Sequence, residues 1–344
     1  MKKYITITSL LLLFSFSVQA QLSVKEKRDF KRFYNAGIEQ LTNQNYEEAL
    51  LLFNECLALD ETNALAYLQR GRVNAAMDMY SKALADIDKA IQFDPDNGEA
   101  YFYKGYLMFE EDTTGISREL LQKSLDNGFE LAETYYYIGL HYLLNDENDK
   151  ALINFDKAIR IKTDYALAYH DRAGIKRQLG DYNGALYDYK SAVNYMEQFP
   201  LAYNNMGSVK LVMGDFDGAI SDYSTAIEQD PELYLAYNNR GYAFYQMNEL
   251  DTAMIDFSRA IQIQPDFMEA QLNRASVLVL QNEHQSAMNL LDAIIQKNPE
   301  KSVLYLNRGL VKEMTGDVIG ACRDWTKALD LGDSQASEYL KECK

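Results

Sequence analysis

Proline, cysteine, histidine and positive charge are all scarce in this chain, and each shortage removes a class of answer. Five prolines in 344 residues leave few breaks in regular structure. Three cysteines cannot build a disulfide-dense miniprotein or a four-thiolate zinc site. The three histidines, His141, His170 and His284, lie far apart with no i,i+4 partner, so no metal-ligand or nucleophile–base spacing arises from them. Basic residues number 34 against 51 acidic ones, a formal charge of -17. A field of that sign repels phosphate backbones and anionic lipid, which argues against nucleic acid as a partner. Walker sequences and glycine-rich phosphate loops are also missing, so the chain reads as a non-enzyme without a cofactor.

Long apolar runs are confined to the start. Lys2 and Lys3 precede the apolar stretch Ile5–Phe16, and Val18-Gln19-Ala20 offers a cleavage site. This is the order of a secretory signal peptide over residues 1–20, cut after Ala20, and it predicts an exported protein, periplasmic or secreted. The run is shorter than the roughly 20 apolar residues a membrane span needs, so no span is expected once the signal is removed.

What fills the remainder is a repeat. From Phe30 the chain divides into nine blocks of 34 residues without insertion, ending at Gln335: 30–63, 64–97, 98–131, 132–165, 166–199, 200–233, 234–267, 268–301 and 302–335. Block position 8 reads Gly37, Gly71, Gly105, Gly139, Ala173, Gly207, Gly241, Ala275 and Gly309. Position 20 is alanine in all blocks but the third, which has Ser117. Position 24 is large throughout: Phe53, Ile87, Leu121, Phe155, Tyr189, Tyr223, Phe257, Leu291 and Trp325. Apolar spacings of three and four on either side of a break near position 16 predict two helices per block. Gly180, Gly214 and Gly316 fall at the break, while Pro95, Pro231, Pro265 and Pro299 stop the second helix. Small residues at positions 8, 20 and 27 allow the two helices to approach, and the large ones surround that notch.

These residues resemble the tetratricopeptide repeat. The block Leu235-Ala236-Tyr237-Asn238-Asn239-Arg240-Gly241-Tyr242-Ala243-Phe244, followed by Ala253, Phe257, Ala260 and Pro265, is similar to that family's pattern. The resemblance implies an all-α fold, a right-handed superhelical solenoid of antiparallel helix pairs whose first helices line a concave groove. Residues 21–29 are expected to extend the first helix, and 336–344 to form a capping helix. Substitutions in the first, third and eighth blocks (Cys56, Ser117 with Ser124, and Gln271) are expected to loosen local packing.

The family's groove positions hold the candidate ligand contacts. Position 6 carries Asn205, Asn239, Asn273 and Asn307 in consecutive blocks, a row of amides suited to the alternating N–H and C=O groups of a peptide. It resembles the asparagine ladders by which some members of the family hold extended peptides. Phe102, Tyr103, Tyr106, Phe109, Tyr136 and Tyr137 fall at groove positions of the third and fourth blocks, and Tyr242 and Tyr245 in the seventh. They read either as an exposed recognition patch or as rings packed on one another. The residues with which some members clamp a C-terminal carboxylate are missing: position 5 is never lysine, position 9 never asparagine or lysine, and position 13 never arginine or lysine.

Two columns of charge remain. Arginine recurs at position 7 (Arg70, Arg172, Arg240, Arg274, Arg308), and salt bridges between helices are expected of it. Aspartate recurs at position 23 (Asp86, Asp188, Asp222, Asp256, Asp324), which reads as a solvated outer face. The facing register of antiparallel neighbours brings Cys322 near Cys343, predicting a disulfide that ties the cap to the last block, and leaves Cys56 as a buried thiol. The function expected of all this is a protein-interaction scaffold in a bacterial envelope that binds a protein or peptide in its groove. The alternative is a structural component that self-associates as a homo-oligomer.

Overall fold

The computed structural model describes residues 22–112 and 114–343, and every regular element among them is helical. The proposed signal segment, residues 1–20, lies outside the described residues. Contacts divide the chain into two units, one ending at His141 and the other beginning at Tyr142.

The first unit contains α1 (Val24–Thr42), α2 (Tyr46–Leu59), α3 (Ala64–Ala76), α4 (Tyr80–Phe93), α5 (Gly98–Met108), α6 (Ile116–Asp126) and most of α7 (Ala132–Leu144). Odd-numbered helices are first helices of the blocks and even-numbered ones second helices; α1 pairs with α2, α3 with α4 and α5 with α6. Helix α1 begins within the lead, where Ser23 and Glu26 form a capping box. The second unit holds α8 (Asn148–Ile161), α9 (Ala166–Gln178), α10 (Tyr182–Tyr195), α11 (Pro200–Val212), α12 (Phe216–Gln229) and α13 (Tyr234–Gln246). It continues with α14 (Leu250–Ile263), α15 (Met268–Leu280), α16 (His284–Lys297), α17 (Ser302–Met314), α18 (Val318–Asp330) and α19 (Ala336–Tyr339). The cap is shorter than expected: α19 is one turn, followed by a 3-10 turn over Leu340–Glu342.

Turn chemistry sets these boundaries. Each second helix in a proline-bearing block stops two residues ahead of its proline, at Phe93, Gln229, Ile263 and Lys297. Between the helices of a pair, position 15 adopts positive φ in every block but the third, where Asp112 does not, with glycine at Gly180, Gly214 and Gly316 and Gln44, Asp78, Asp146, Asn248 and Asn282 in the others. Asp181, Asp215 and Asp317 then accept the N–H of Gly184, Gly218 and Gly320 and cap the second helix.

Packing within a pair follows the notch. A Cβ at Gly37, Gly207 or Gly241 would meet the ring of Phe53, Tyr223 or Phe257 at 2.8 to 2.9 Å, so ring and backbone are in direct contact. Gly309 stands in the same relation to Trp325. The alanines at position 20, from Ala49 to Ala321, are wholly buried, as are Phe53, Phe155, Tyr189, Tyr223 and Phe257.

The aspartate column is not a solvated face. Asp86, Asp188, Asp222, Asp256 and Asp324 are all buried. Position 7 of the first helix faces position 23 of the second, so each arginine grips an aspartate through two nitrogens: Arg172 to Asp188 at 2.8 and 2.6 Å, Arg240 to Asp256 at 2.8 and 2.8 Å, Arg308 to Asp324 at 2.8 and 2.6 Å. The third arm reaches back to the preceding second helix, at Asp156, Ser224 and Asp292 respectively. In the first unit Arg70 does the same with Asp86 and Asn54. These forks hold the arginines firmly protonated; the Asp188 and Asp156 contacts outweigh the burial that opposes the charge on Arg172. The first, third and fourth blocks carry neither member of the pair, and two more carry only one: Met206 leaves Asp222 with Lys210, and Leu290 leaves the Arg274 Nε buried without a hydrogen bond.

The irregular blocks are compensated rather than loosened. Ser117 and Ser124 are fully buried but donate to the carbonyls of Gly105 (2.6 Å) and Phe129 (3.2 Å). Gln271 donates to the Pro265 carbonyl at 2.6 Å, the place taken by the Tyr305 hydroxyl on Pro299 at 3.1 Å. Cys56 is a buried free thiol, its pKa pushed up to about 11 by burial, while Cys322 and Cys343 are bonded, with their Cα atoms 5.8 Å apart.

Candidate functional site

The first-helix face of the second unit carries a polar row. Helices α9, α11, α13 and α15 touch in succession, so equivalent positions of neighbouring blocks become lateral neighbours. Position 6 of one block then meets position 5 of the block before. Asn205 Nδ2 contacts His170 Nε2 at 3.1 Å, Asn239 Nδ2 donates to Asn204 Oδ1 at 3.0 Å, and Asn273 Nδ2 donates to Asn238 Oδ1 at 2.9 Å. Within a block Asn204 donates to Asn205 and Asn238 to Asn239, both at 3.3 Å.

These bonds join end to end. The sequence of donors runs Asn273, Asn238, Asn239, Asn204, Asn205, and closes on His170, whose Nδ1 lies 2.8 Å from Asp171 Oδ1. With the Asn205 amide donating to Nε2, the imidazole carries its proton on Nδ1 and passes the direction on to Asp171. Asn307 stands outside the relay because Leu272 occupies position 5 of the block before it; its amide turns back to the Val303 carbonyl at 2.8 Å. Asn205, Asn239 and Asn273 thus hold neighbouring blocks in register. One N–H of each is committed within the protein, which narrows their capacity to line a peptide.

The aromatic groove residues of the first unit are largely closed. Phe102 and Tyr136 are buried at 6% and 7% exposure, and Tyr106, at 42%, is the exposed member. Phe102 packs on Tyr103, Tyr106 and Phe129 with centroids 5.2 to 6.2 Å apart. Tyr137 packs on Tyr106, Phe109 and Tyr136, and Phe109 lies 4.8 Å from His141. These rings are packed on one another, with Tyr106 still open to solvent. Burial and the nearby Tyr106 push the Tyr137 hydroxyl up to about 12, so it stays a neutral donor.

Open volume lies in both units: in the first a cavity of about 390 Å³ is bordered by Tyr103 with Ile38, Leu41, Thr42, Gln44, Tyr46, Arg72 and Ala76, and another lies toward the end of the second unit. The latter, of about 250 Å³, is floored by Ala275, Leu291 and Val311 and walled by Tyr245, Val279, Leu280, Leu310 and Met314, with Asn307, Ser276 and Glu313 as its polar groups. It brings together Tyr245 and Asn307 among the sequence candidates; Tyr242 stacks on Tyr245 at 6.0 Å beside it. Leu280, Leu310 and Met314 escaped notice because attention to amides and rings passes over aliphatic residues. Their signal was available: they occupy groove positions 9 and 13 of the last two blocks. Among the described residues no cluster of His, Cys, Asp and Glu suits a metal, and no helix is long and apolar enough to cross a membrane.

Sequence profiles described as "TPR repeat" match residues 173–214 and 212–248, and profiles described as "Tetratricopeptide repeat" match 234–267 and 64–97. The last two segments have the bounds of the seventh and second blocks. No curated protein sequence matches the chain. Solved structures with the same fold include a tetratricopeptide repeat protein from Parabacteroides merdae ATCC 43184, 18% identical, TM-score 0.57, covering 71% of this chain and 98% of that one. A structure of Pseudomonas aeruginosa pilF is 18% identical, TM-score 0.55, covering 60% and 94%. The Cut9-Hcn1 hetero-tetramer of the APC/C matches at 15% identity, TM-score 0.57, over 95% and 78%. Matched profiles, shared fold and helix pairs built on the Gly/Ala notch agree: the chain carries tetratricopeptide repeats, and its fold is that of a tetratricopeptide-repeat array.

Proposed function

We propose that this protein is an exported, non-enzymatic scaffold that binds a protein or peptide segment on the first-helix face of its second unit. The cavity between Tyr245 and Met314 carries the reading, because its apolar walls and few polar groups form a concave site beyond the end of the hydrogen-bonded amide row. Asn307, free of the relay, has its carbonyl oxygen available to orient a bound main chain. The asparagines at 205, 239 and 273 serve chiefly to keep this wall rigid, and the rings at 102, 103, 106, 136 and 137 to fill the first unit. Export rests on the residues of the Met1–Ala20 segment, and a location in a bacterial envelope follows from that reading.

Site-specific photo-crosslinking in cells tests it. A photoreactive residue at position 314 should yield a protein adduct, and one at position 255, on the outer side of α14, should not. Adducts from 255 alone would overturn the proposal, and homotypic adducts would point to self-association instead.

A further inference from the structure

Beside the cavity runs a feature that neither the fold nor the relay uses. At the C-terminal end of the first helix, each of six consecutive blocks exposes a large aliphatic side chain at position 13 or 14: Leu144 (74% exposed), Leu179 (59%), Val212 (61%) with Met213 (47%), Met247 (37%), Leu280 (50%) and Met314 (62%). Single exposed aliphatics need no explanation, but their recurrence at one or other of two adjacent positions, near the end of every first helix from the fourth block on, gives this edge of the stacked array an apolar character. Leu280 and Met314 line the same cavity, which shows that members from adjacent blocks meet. The corresponding residues of the first three blocks, Thr42 with Asn43, Ala76 with Met77, and Glu110 with Glu111, form no such edge.

A carboxylate column accompanies this apolar edge. Position 16 of the same six blocks is always acidic: Glu147, Asp181, Asp215, Glu249, Glu283 and Asp317. Three of these cap their helices, as described above, and capping leaves their charge in place. Lys150 pairs with Glu147, whereas Asp181, Asp215, Glu249, Glu283 and Asp317 form no ion pair among the described residues. Glu313 adds a further carboxylate at the cavity mouth.

We propose that this edge is a docking strip for a cationic amphipathic helix of a partner protein, with one apolar residue of that helix seated between Leu280 and Met314. This rests on the scaffold reading above and adds the chemistry of the partner. Charge complementarity selects a basic occupant and disfavours a second copy, since each copy carries a formal charge of -17 and would set carboxylate against carboxylate. Spacing selects a helix. Packed helices lie about 8–10 Å apart, and an α-helix returns a side chain to one face about every 10.5 Å, at i and i+7. Same-face residues of an extended strand recur at about 6.7 Å and fall out of step. Methionine and leucine, flexible and polarisable, suit such a contact.

Fluorescence anisotropy of the full chain with a labelled 21-residue peptide, three heptads of Leu-Lys-Lys-Leu-Ala-Lys-Ala, tests this. Saturable binding is expected, absent for the peptide with glutamate in place of lysine. Because both positions are exposed, the pair Leu280→Ser and Met314→Ser should fold normally and weaken binding by roughly tenfold or more. Glu249→Gln with Glu283→Gln should weaken it about threefold and flatten its salt dependence. Ile153→Ser with Ile255→Ser, on exposed faces of second helices, should leave it unchanged. Lack of saturable binding, equal binding by the glutamate peptide, or a Leu280/Met314 variant that binds like the parent would each overturn the proposal. Should crosslinks form at position 314 while the peptide fails, the partner chemistry falls and the scaffold reading stands. If position 314 gives none, the scaffold reading itself falls.

Discussion

The two units use the same helix-pair scaffold but close their first-helix faces by different means. In the unit ending at His141, aromatic rings fill the face: Phe102, Tyr136 and their neighbours pack edge to face and leave chiefly Tyr106 in solvent. In the unit beginning at Tyr142, hydrogen-bonded amides line it, and the apolar surface is displaced to the rim and to the cavity near Met314. Rings that cluster fill the space between helices with one another. Short amides hold a wall open, because they bridge adjacent helices without filling the space in front of them.

The largest effect that would break this comparison is Phe102→Ala. Removing a buried ring with three ring partners should cost about 3–5 kcal/mol. It should raise hydrogen exchange across residues 22–141 while residues 142–343 keep their protection. Asn238→Leu strikes the other closure. It deprives Asn273 of an acceptor and Asn239 of a donor, at about 1–3 kcal/mol, and exchange should rise in α11, α13 and α15. A variant as stable as the parent would show that the relay does not hold the wall.

Smaller gains should come from completing the charge columns. Met206→Arg gives Asp222 the fork it lacks, and Leu290→Asp gives Arg274 its missing carboxylate. Each should stabilise the second unit by about 1 kcal/mol, read as a higher denaturation midpoint. Asp222 should respond in its own titration, because burial raises its pKa now and a second cation would lower it.

The smallest effect concerns acid. Burial lowers the His141 pKa, against the opposing pull of Asp112. The folded first unit therefore binds fewer protons than the unfolded chain just below the ordinary histidine value of 6.5, and its stability should fall as pH drops through that value. Asp112 adds a second loss at lower pH. Burial raises its pKa, but the N–H groups of Thr114, Ser117 and Gly115 outweigh that and hold it at about 2, so its contribution is lost as pH falls from the carboxylate range toward that value. His141→Phe should remove the first limb and keep the second in denaturation curves followed against pH.

Sequence by itself determined the repeat, its phase and its helix boundaries. These depend on local chemistry: a proline two residues beyond a helix end, a capping aspartate three residues ahead of a glycine, a small residue opposite a ring. It also set Arg70, Arg172, Arg240 and Arg308 as bridging residues and placed Cys322 near Cys343, because a constant period converts position numbers into neighbours. Only the tertiary structure decided what each column does. The position 23 aspartates read as solvent-facing because charge normally is, and burial became legible only when the arginine sixteen residues earlier was seen to fork onto them. The asparagines read as ligand contacts because nothing local reveals that position 6 of one block reaches position 5 of the block before. That contact is made across two helices packed side by side, and its partner, whether asparagine, histidine or leucine, decides whether an amide bridges two blocks or turns back onto its own helix beside the cavity.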